Sequence, residues 1–481
     1  MSTQRPNIIV FFTDQQRHDT TGVHGCPLGL TPNFDRLARN GTDVHHSFTC
    51  QPVCGPARAC LQTGTFATTN RVVTNCHMPL SSDLPSLARC FNDAGYHTGY
   101  FGKFHLGHTH GAVEEPDRAG YDEWFASNLL EATSDAYRTR LWDNDNQPHD
   151  LPGYRADALT DALIRRVDNR VKNHPDQPFF YFTSYLEPHH QNHVDGYPAP
   201  DGYRQAYDGR WCPPDLAALP THPEVDEQLQ ASTGGITQAQ LGGYFGMVKR
   251  LDEALGRLCD ALKSLGQLDN TIILFSSDHA CHFKTRNAEY KRSAHESSIR
   301  VPTMLHGGPF TSGGRIQQLV SLVDLPATLL DAAGIDIPET FEGRSLLPLV
   351  NKNRQATADW PDHVYVQISE MCWGRALRTK RWKYILRDPE LRNSDLKDWK
   401  ELIDFDGNHA TLLEAELYDL QEDPHELVNL IRLASHTPVR KVMQKRLLDR
   451  MASLNEPLPK IIEPDLQPEH QRAVTEQEAH A

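Results

Sequence analysis

The 481-residue chain predicts an α/β protein: a large mixed, mostly parallel sheet sandwiched by helices, with a smaller C-terminal α+β subdomain. Three observations carry that reading. Short apolar runs recur along the chain with the length of buried strands. Segments with apolar residues at helical spacing fall between them, and such alternation implies parallel strands covered by helices. Polar, chemically capable residues then follow several of the runs, at the edge where open α/β sheets bind ligands.

Taken in order, residues 7–12, 97–101, 178–182, 271–275 and 301–305 read as strands. Residues 31–40 read as a helix through Phe34, Leu37 and Ala38. Residues 84–94 do so through Leu87, Ala88 and Phe91, and residues 244–265 through Met247, Leu251, Leu255, Leu258 and Leu262. Residues 190–227, rich in Pro, Gly, Asp and Tyr, read as a long irregular excursion, a form often tied to function. Residues 338–362 read as a boundary. Beyond it, 382–385 and 417–420 suggest short strands, and 440–454 a helix. The expected organisation is a catalytic domain over 1–355, a subdomain over 356–460 and a disordered or strap-like tail over 461–481.

Composition narrows the class. Hydrophobic content of 38% with 23% charged residues is that of a globular protein. A net charge of −15 argues against nucleic acid or an anionic membrane as the main partner, so an anionic substrate needs a local cationic pocket. The early apolar run Ile8-Ile9-Val10-Phe11-Phe12 closes at Asp14, too short for a signal-peptide core or a membrane span. The expected location is cytoplasmic, and ten scattered cysteines fit reduced thiols. Cys50, Cys54 and Cys60 lack zinc-site spacing.

The chemistry-bearing residues cluster at strand exits. Asp14 with Gln15 and Asp278 with His279 would make an oxygen-rich divalent-cation site, whereas either aspartate alone reads as a helix N-cap. Lys103 and His105 alternate onto one side of an extended segment. His189 follows Glu187-Pro188, and Lys291 precedes residues 295–302. These cations could neutralise a bound anion and supply a general acid. Cys54 sits just before Pro56, which suits a first helical turn, with Arg58 one turn in and Gly64 a natural end. Its side chain would stand at a helix N-terminus, where backbone amides favour an anion. His190, His193, His282, Lys284 and Arg286 could line a subsite for a polar or anionic group, against a plainer reading as exposed loop residues.

Cys54-Gly55-Pro56-Ala57-Arg58 followed by Thr63-Gly64 resembles the maturation signature of the type I sulfatases, of the alkaline phosphatase-like superfamily. Further landmarks resemble the same family: 7–17 with 31–37; Gly102-Lys103-Phe104-His105-Leu106-Gly107; Ser277-Asp278-His279, with Ala280 where the family usually has glycine; 296–302; 322–334; and 417–430. The resemblance implies a sulfuric ester hydrolase acting on a sulfated carbohydrate. It implies that a formylglycine-generating enzyme oxidises Cys54 to formylglycine, whose hydrated aldehyde attacks sulfur. It implies calcium held by Asp14, Gln15, Asp278 and His279, with residue 54 touching the metal. It gives Arg58 and Lys103 to the nucleophile and sulfate, His189 and Lys291 to the leaving oxygen, and His105 to collapse of the sulfated hemiacetal. Gln15, His279, Gly55 and Ala57 also resemble the branch that holds phosphonate monoester and phosphodiester hydrolases, the alternative substrate class. A third reading, an inactive sulfatase-like binding protein, is opposed by the complete residue set.

Overall fold

A computed structural model describes residues 5–75, 79–219, 227–311, 313–389, 409–467 and 472–480. The strands of its first sheet are β1 (Asn7–Thr13), β2 (Thr42–Phe48), β3 (His97–Lys103), β4 (Glu123–Ser127), β5 (Arg138–Trp142), β6 (Pro148–Pro152), β7 (Phe179–Ser184), β8 (Thr271–Ser277), β9 (Met304–His306) and β10 (Gly314–Ser321). They lie in the order β10-β2-β9-β8-β1-β7-β3-β4-β5-β6. The centre, β8-β1-β7-β3-β4, is parallel; β9 runs against both its neighbours, as do β5 and β6 at the far edge.

Strand alternation divides the core. Ile8, Val10 and Phe12 of β1 face one apolar cluster, and Ile9 and Phe11 the other. On the first face lie α1 (Cys54–Thr63), α2 (Leu87–Asp93) and α3 (Asp324–Ala332); on the second, α4 (Pro32–Asn40), α5 (Arg155–Asn173) and α6 (Glu227–Ser264). Both faces of β1 are thus buried, which is why it reads as an unbroken apolar run. Burying each such Ile or Phe stabilises the fold by roughly 1.5–3 kcal/mol.

The second sheet, β11 (His363–Ile368), β12 (Gly374–Thr379), β13 (Trp382–Arg387), β14 (Thr411–Asp419) and β15 (Lys460–Ile462), is antiparallel except for the last pair. Helix α7 (Thr437–Ser453) covers it through Val439, Met443 and Leu447. These residues join the same apolar cluster as Val10 and Phe12, so the two sheets share a core. Residues 472–480 lie as a strap on this subdomain: Ala479 is buried and Trp382 Nε1 donates to the Glu478 carbonyl.

The expected strands at 301–305 and 178–182 shift: β9 begins only at Met304, because residues 301–303 turn in from a short helix, and β7 runs on to Ser184. The long helix α6 begins well before the expected residue 244. Part of the excursion at 190–227 falls outside the described residues; the rest contains the short helices Tyr203–Tyr207 and Pro214–Ala218. Among the described residues no helix is long and apolar enough to cross a membrane.

Candidate active site

Strand register assembles the site. Thr13 of β1 pairs with Ser277 of β8, so Asp14 and Asp278, the next residue on each strand, emerge side by side. On the other flank Phe12 pairs with Ser184 of β7, and Ser184 pairs with Gly102 of β3, which places Lys103 in the same row. Lys103 in turn pairs with Ser127 of β4, and Glu131 follows four residues later. Gly102 takes φ +99, and a Cβ there would come 2.1 Å from the Ser184 carbonyl oxygen; only glycine lets β3 approach β7 this closely.

Cys54 opens α1, whose C-terminus is closed by Gly64 at φ +65 with its amide on the Cys60 carbonyl. The Cys54 sulfur lies 2.8 Å from Lys291 Nζ, 3.2 Å from His279 Nε2 and 3.6 Å from Asp14 Oδ1. One turn on, Arg58 donates from Nη2 to Asp14 Oδ2 (2.9 Å) and Asp278 Oδ2 (3.0 Å), and from Nη1 to Ser184 Oγ and the Lys103 carbonyl. Lys103 Nζ bridges Asp14 Oδ2 (2.8 Å) and Glu131 Oε1 (2.7 Å). His189 Nε2 is 3.0 Å from Lys291 Nζ, and His189 Nδ1 is 2.5 Å from the His190 carbonyl. Just before it, Glu187 is buried against Arg155, 2.9 Å from its Nε. His105, at φ +61, is 3.9 Å from Glu131.

The charges interlock. Burial opposes ionisation of Cys54, yet Lys103, Lys291 and His279 outweigh it and hold the thiol well below its ordinary range. Burial and the Cys54 charge would raise the Asp14 carboxyl, but Lys103, His189 and Arg58 hold it below the usual carboxylate range. Asp278 goes the other way: burial first, then the neighbouring Asp14 charge, push it up. Burial alone would lower Lys103 and Lys291; the anions around them raise both.

A cation fits this donor set. Ligand atoms of Asp14, Cys54, Asp278 and His279 all lie within 4.8 Å of one another. Arg58 takes the outer oxygen of each aspartate, leaving both Oδ1 atoms turned toward His279 Nε2, at 3.6 and 3.5 Å. His279 Nδ1 lies 3.1 Å from the Ala280 carbonyl, the outer contact that leaves Nε2 free to ligate. Two converging buried carboxylates, one pushed up by burial and by its neighbour's charge, are relieved by a positive ion between them. Gln15, at φ +68, differs from the other three: its Oε1 accepts the His190 amide (3.0 Å) and its Nε2 approaches Cys281 Sγ (3.6 Å). Only a second lone pair on Oε1 remains for a ligand.

Above Cys54 opens a cavity of about 360 Å³. Gln15, Cys54, His105, His189 and Lys291 reach it, as do His190 and His193. His190 is stacked on Tyr290 with ring centroids 4.1 Å apart. The other three expected subsite residues do not line it. His282 is fully buried with Nε2 on the Lys291 carbonyl, so it fixes the backbone of Lys291. Lys284 lies over the Tyr290 ring, and Arg286 turns away to the carbonyls of His425 and Glu426. These placements share a cause: 281–292 is a looped segment with Phe283, Lys284 and Arg292 at positive φ, and its torsions aim these side chains away from the cavity.

Glu131, Asn75, Glu289, Tyr290 and Arg292 also line the cavity, and no motif marks them as site residues. Glu131 carried only the signal of following a strand exit, as Asp14, Lys103 and Asp278 do. Asn75 and Arg292 carried no signal, because both are held from the second sheet: Glu370 accepts the Asn75 amide at 2.7 Å and pairs with Arg292 at 2.6 Å.

A model of the sulfatase family matches residues 6–335, and one described as N-sulphoglucosamine sulphohydrolase, C-terminal, matches 289–453. The chain is 31% identical over 476 residues to the uncharacterized sulfatase YidJ of Escherichia coli (strain K12), covering 94% of this chain and 88% of that one. It is 25% identical to an N-acetylglucosamine-6-O-sulfatase of Bacteroides thetaiotaomicron, covering 92% and 86%. Its fold is shared with a solved complex with the substrate D-glucosamine-2-N,6-O-disulfate (TM-score 0.72, 23% identity, 94% and 98% covered). It is also shared with the phosphonate monoester hydrolase of Agrobacterium radiobacter (TM-score 0.70, 22% identity, 94% and 96% covered). The chain belongs to the sulfatase family of the alkaline phosphatase-like superfamily and is a sulfuric ester hydrolase.

Proposed function

We propose that the protein removes sulfate from a sulfated carbohydrate at Cys54. The observation that carries this is the setting of Cys54: at a helix N-terminus, 2.8 Å from Lys291, with Arg58 one turn below bonded to two aspartates. Among relatives, a named activity on a sulfated sugar supports the substrate class.

Matured to formylglycine by its generating enzyme, residue 54 would supply a hydroxyl nucleophile in place of the sulfur. Calcium, held by Asp14, Asp278 and His279 with residue 54 and the free lone pair of Gln15, would supply positive charge to an oxygen of the sulfate. The chain's own residues do the rest. Lys103, fixed between Asp14 and Glu131, and Lys291 set two ammonium charges about the position where a sulfate would sit. Arg58 keeps both aspartates oriented from beneath. His189 Nε2 and Lys291 Nζ, 3.0 Å apart, form the pair that hands a proton to the leaving alcohol oxygen. His105, beside Glu131, takes a proton from the hydroxyl of residue 54 when sulfate is expelled. His190, stacked on Tyr290, and His193 offer a polar wall to a sugar. The nine described cysteines are free, which supports a reducing, cytoplasmic compartment.

A phosphorus ester is the second reading. Gln15 is neutral, and its carboxamide is already engaged, so the cation site carries only two carboxylates. A panel of defined sulfated saccharides, run beside phosphonate monoesters and phosphate diesters, separates the two. The expected result is higher kcat/KM on a sulfated saccharide; faster turnover of the phosphorus esters overturns it. Peptide mass spectrometry of protein from its native host is expected to find formylglycine at residue 54; unmodified cysteine alone would sink the mechanism.

A further inference from the structure

A second cluster of ligating side chains lies outside the Cys54 site. His18 and His24 come from the two short turns His18–Thr20 and Gly22–His24 after β1, and His45 from the middle of β2. One ring nitrogen from each lies within 4.8 Å of the other two. The ring centroids are 4.1 Å (18 to 24), 5.5 Å (24 to 45) and 6.0 Å (18 to 45) apart.

Two nitrogens of this cluster are unsatisfied. His18 Nε2 and His45 Nδ1 are buried with no hydrogen-bond partner among the described residues, and His18 is only 8% exposed. Orphaned buried nitrogens of this kind each cost roughly 1–3 kcal/mol unless something binds them. The third histidine is oriented as a ligand would be. His24 Nε2 meets Asp43 Oδ1 at 2.9 Å, and Asp43 is itself held by Arg315 at 2.6 Å. A carboxylate on one ring nitrogen fixes the tautomer and leaves the other, Nδ1, with its lone pair. That Nδ1 faces the Thr21 hydroxyl at 2.6 Å, which has an alternative acceptor in the His18 carbonyl at 3.1 Å and so can yield.

We propose that His18, His24 and His45 form a second metal site, for a borderline divalent ion of the zinc class. Three imidazoles suit zinc, nickel or copper and are poor donors for calcium, so the two sites of the molecule would select different ions. Coordination at bonds of about 2.1 Å brings tetrahedral donors to about 3.4 Å, so the nitrogens close by at most about 1.4 Å. The stacked rings of His18 and His24 must also turn out of parallel. A cavity of about 220 Å³, bounded by Arg17, Asp19, Glu296 and Arg300 among others, reaches His18 and His24 from solvent and leaves room for water as a further ligand. Arg300 opposes a cation there, but its guanidinium is committed to the His45 carbonyl at 3.0 Å and His46 Nδ1 at 3.3 Å, and Asp43 offsets it. The bound ion would staple the loop that follows Asp14 to β2. The assignment is independent of the reaction at Cys54.

The test counts zinc on the full chain. Protein stripped with chelator is loaded with excess calcium, in a Cys54→Ala background so that no thiolate competes, and titrated with zinc by calorimetry, with elemental analysis after gel filtration. The parent is expected to retain one zinc, and His45→Ala, at a partly exposed position, to bind it at least about tenfold more weakly. Equal zinc uptake by parent and His45→Ala, or none by the parent, overturns the proposal. If His45→Ala folds poorly, cobalt added to the parent decides alone: strong visible absorption of a nitrogen-ligated tetrahedral ion supports the site, and its absence refutes it.

Discussion

The floor and the rim of the Cys54 cavity are built differently. The nucleophile and cation-site groups of the floor come from strand exits and a helix, Asp14, Asp278, Lys103 and Glu131 from the first and Cys54 and Arg58 from α1, while His189 and Lys291 reach in from loops. Each has at least two partners, and Asp14, Arg58, Lys103 and Asp278 are at most 2% exposed. The rim comes from loops, where His193 is 44% exposed and Arg292 depends on Glu370 from the second sheet. The nucleophile and the cation site, which need placement to a fraction of an ångström, sit on rigid elements, and recognition that must vary sits on loops.

Substitutions can break that contrast. The largest effect belongs to Cys54→Ala: turnover of an aryl sulfate should fall roughly 10⁴-fold or more with the fold retained. Steady-state kinetics beside a thermal melt measures both, and activity near that of the parent would remove Cys54 from the mechanism. His189→Gln should lower kcat about 10²–10⁴-fold on alkyl or sugar sulfates and much less on nitrophenyl sulfate, whose leaving group needs no proton. An equal loss on both substrates would assign His189 to binding instead.

Arg58→Ala removes the cation that the buried Asp14 and Asp278 share and leaves Asp14 with Lys103 alone beneath it, so stability should drop by about 3–5 kcal/mol in urea denaturation, with part recovered in saturating calcium. No calcium dependence would contradict the cation site. Glu131 adds a pH signature. Burial raises its carboxyl, but Lys103, His105 and His189 outweigh it and bring it down to about 2 from 4.5. The folded pKa lies below the unfolded one, so its contribution is present above about pH 4.5 and lost as pH falls toward 2. Its side chain is 24% exposed, and solvent screening trims the effect to about 1–2 kcal/mol. Glu131→Gln should flatten stability across that window, and an unchanged acid limb would show Glu131 to be uncoupled from Lys103. The smallest effect is expected at the rim: His193→Ala should raise KM for a sulfated saccharide roughly 2–10-fold with kcat unchanged.

Much of the floor was legible because local rules reach it. An apolar run ending in a polar residue marks a strand exit, and proline and glycine bracket the helix behind Cys54. Strands such as β2, where Thr42, Asp43, His45 and His46 interrupt the apolar pattern, gave no such signal, because burial there comes from neighbouring elements. Of the five expected subsite residues, His190 and His193 reach the cavity. His282, Lys284 and Arg286 do not, since loop torsions, which short-range patterns do not encode, aim them elsewhere.

Sequence by itself determined the α/β class, the family and the chemical character of the groups at the sheet's carboxyl edge, because periodicity and motif are properties of contiguous residues. Tertiary structure alone decided that Asp14 and Asp278 stand side by side, that Gln15 spends its amide on His190 and Cys281, and that Glu370 braces the rim. It alone gathered His18, His24 and His45. Those facts depend on strand order and register, which bring together residues hundreds of positions apart and are set by how whole faces bury against one another.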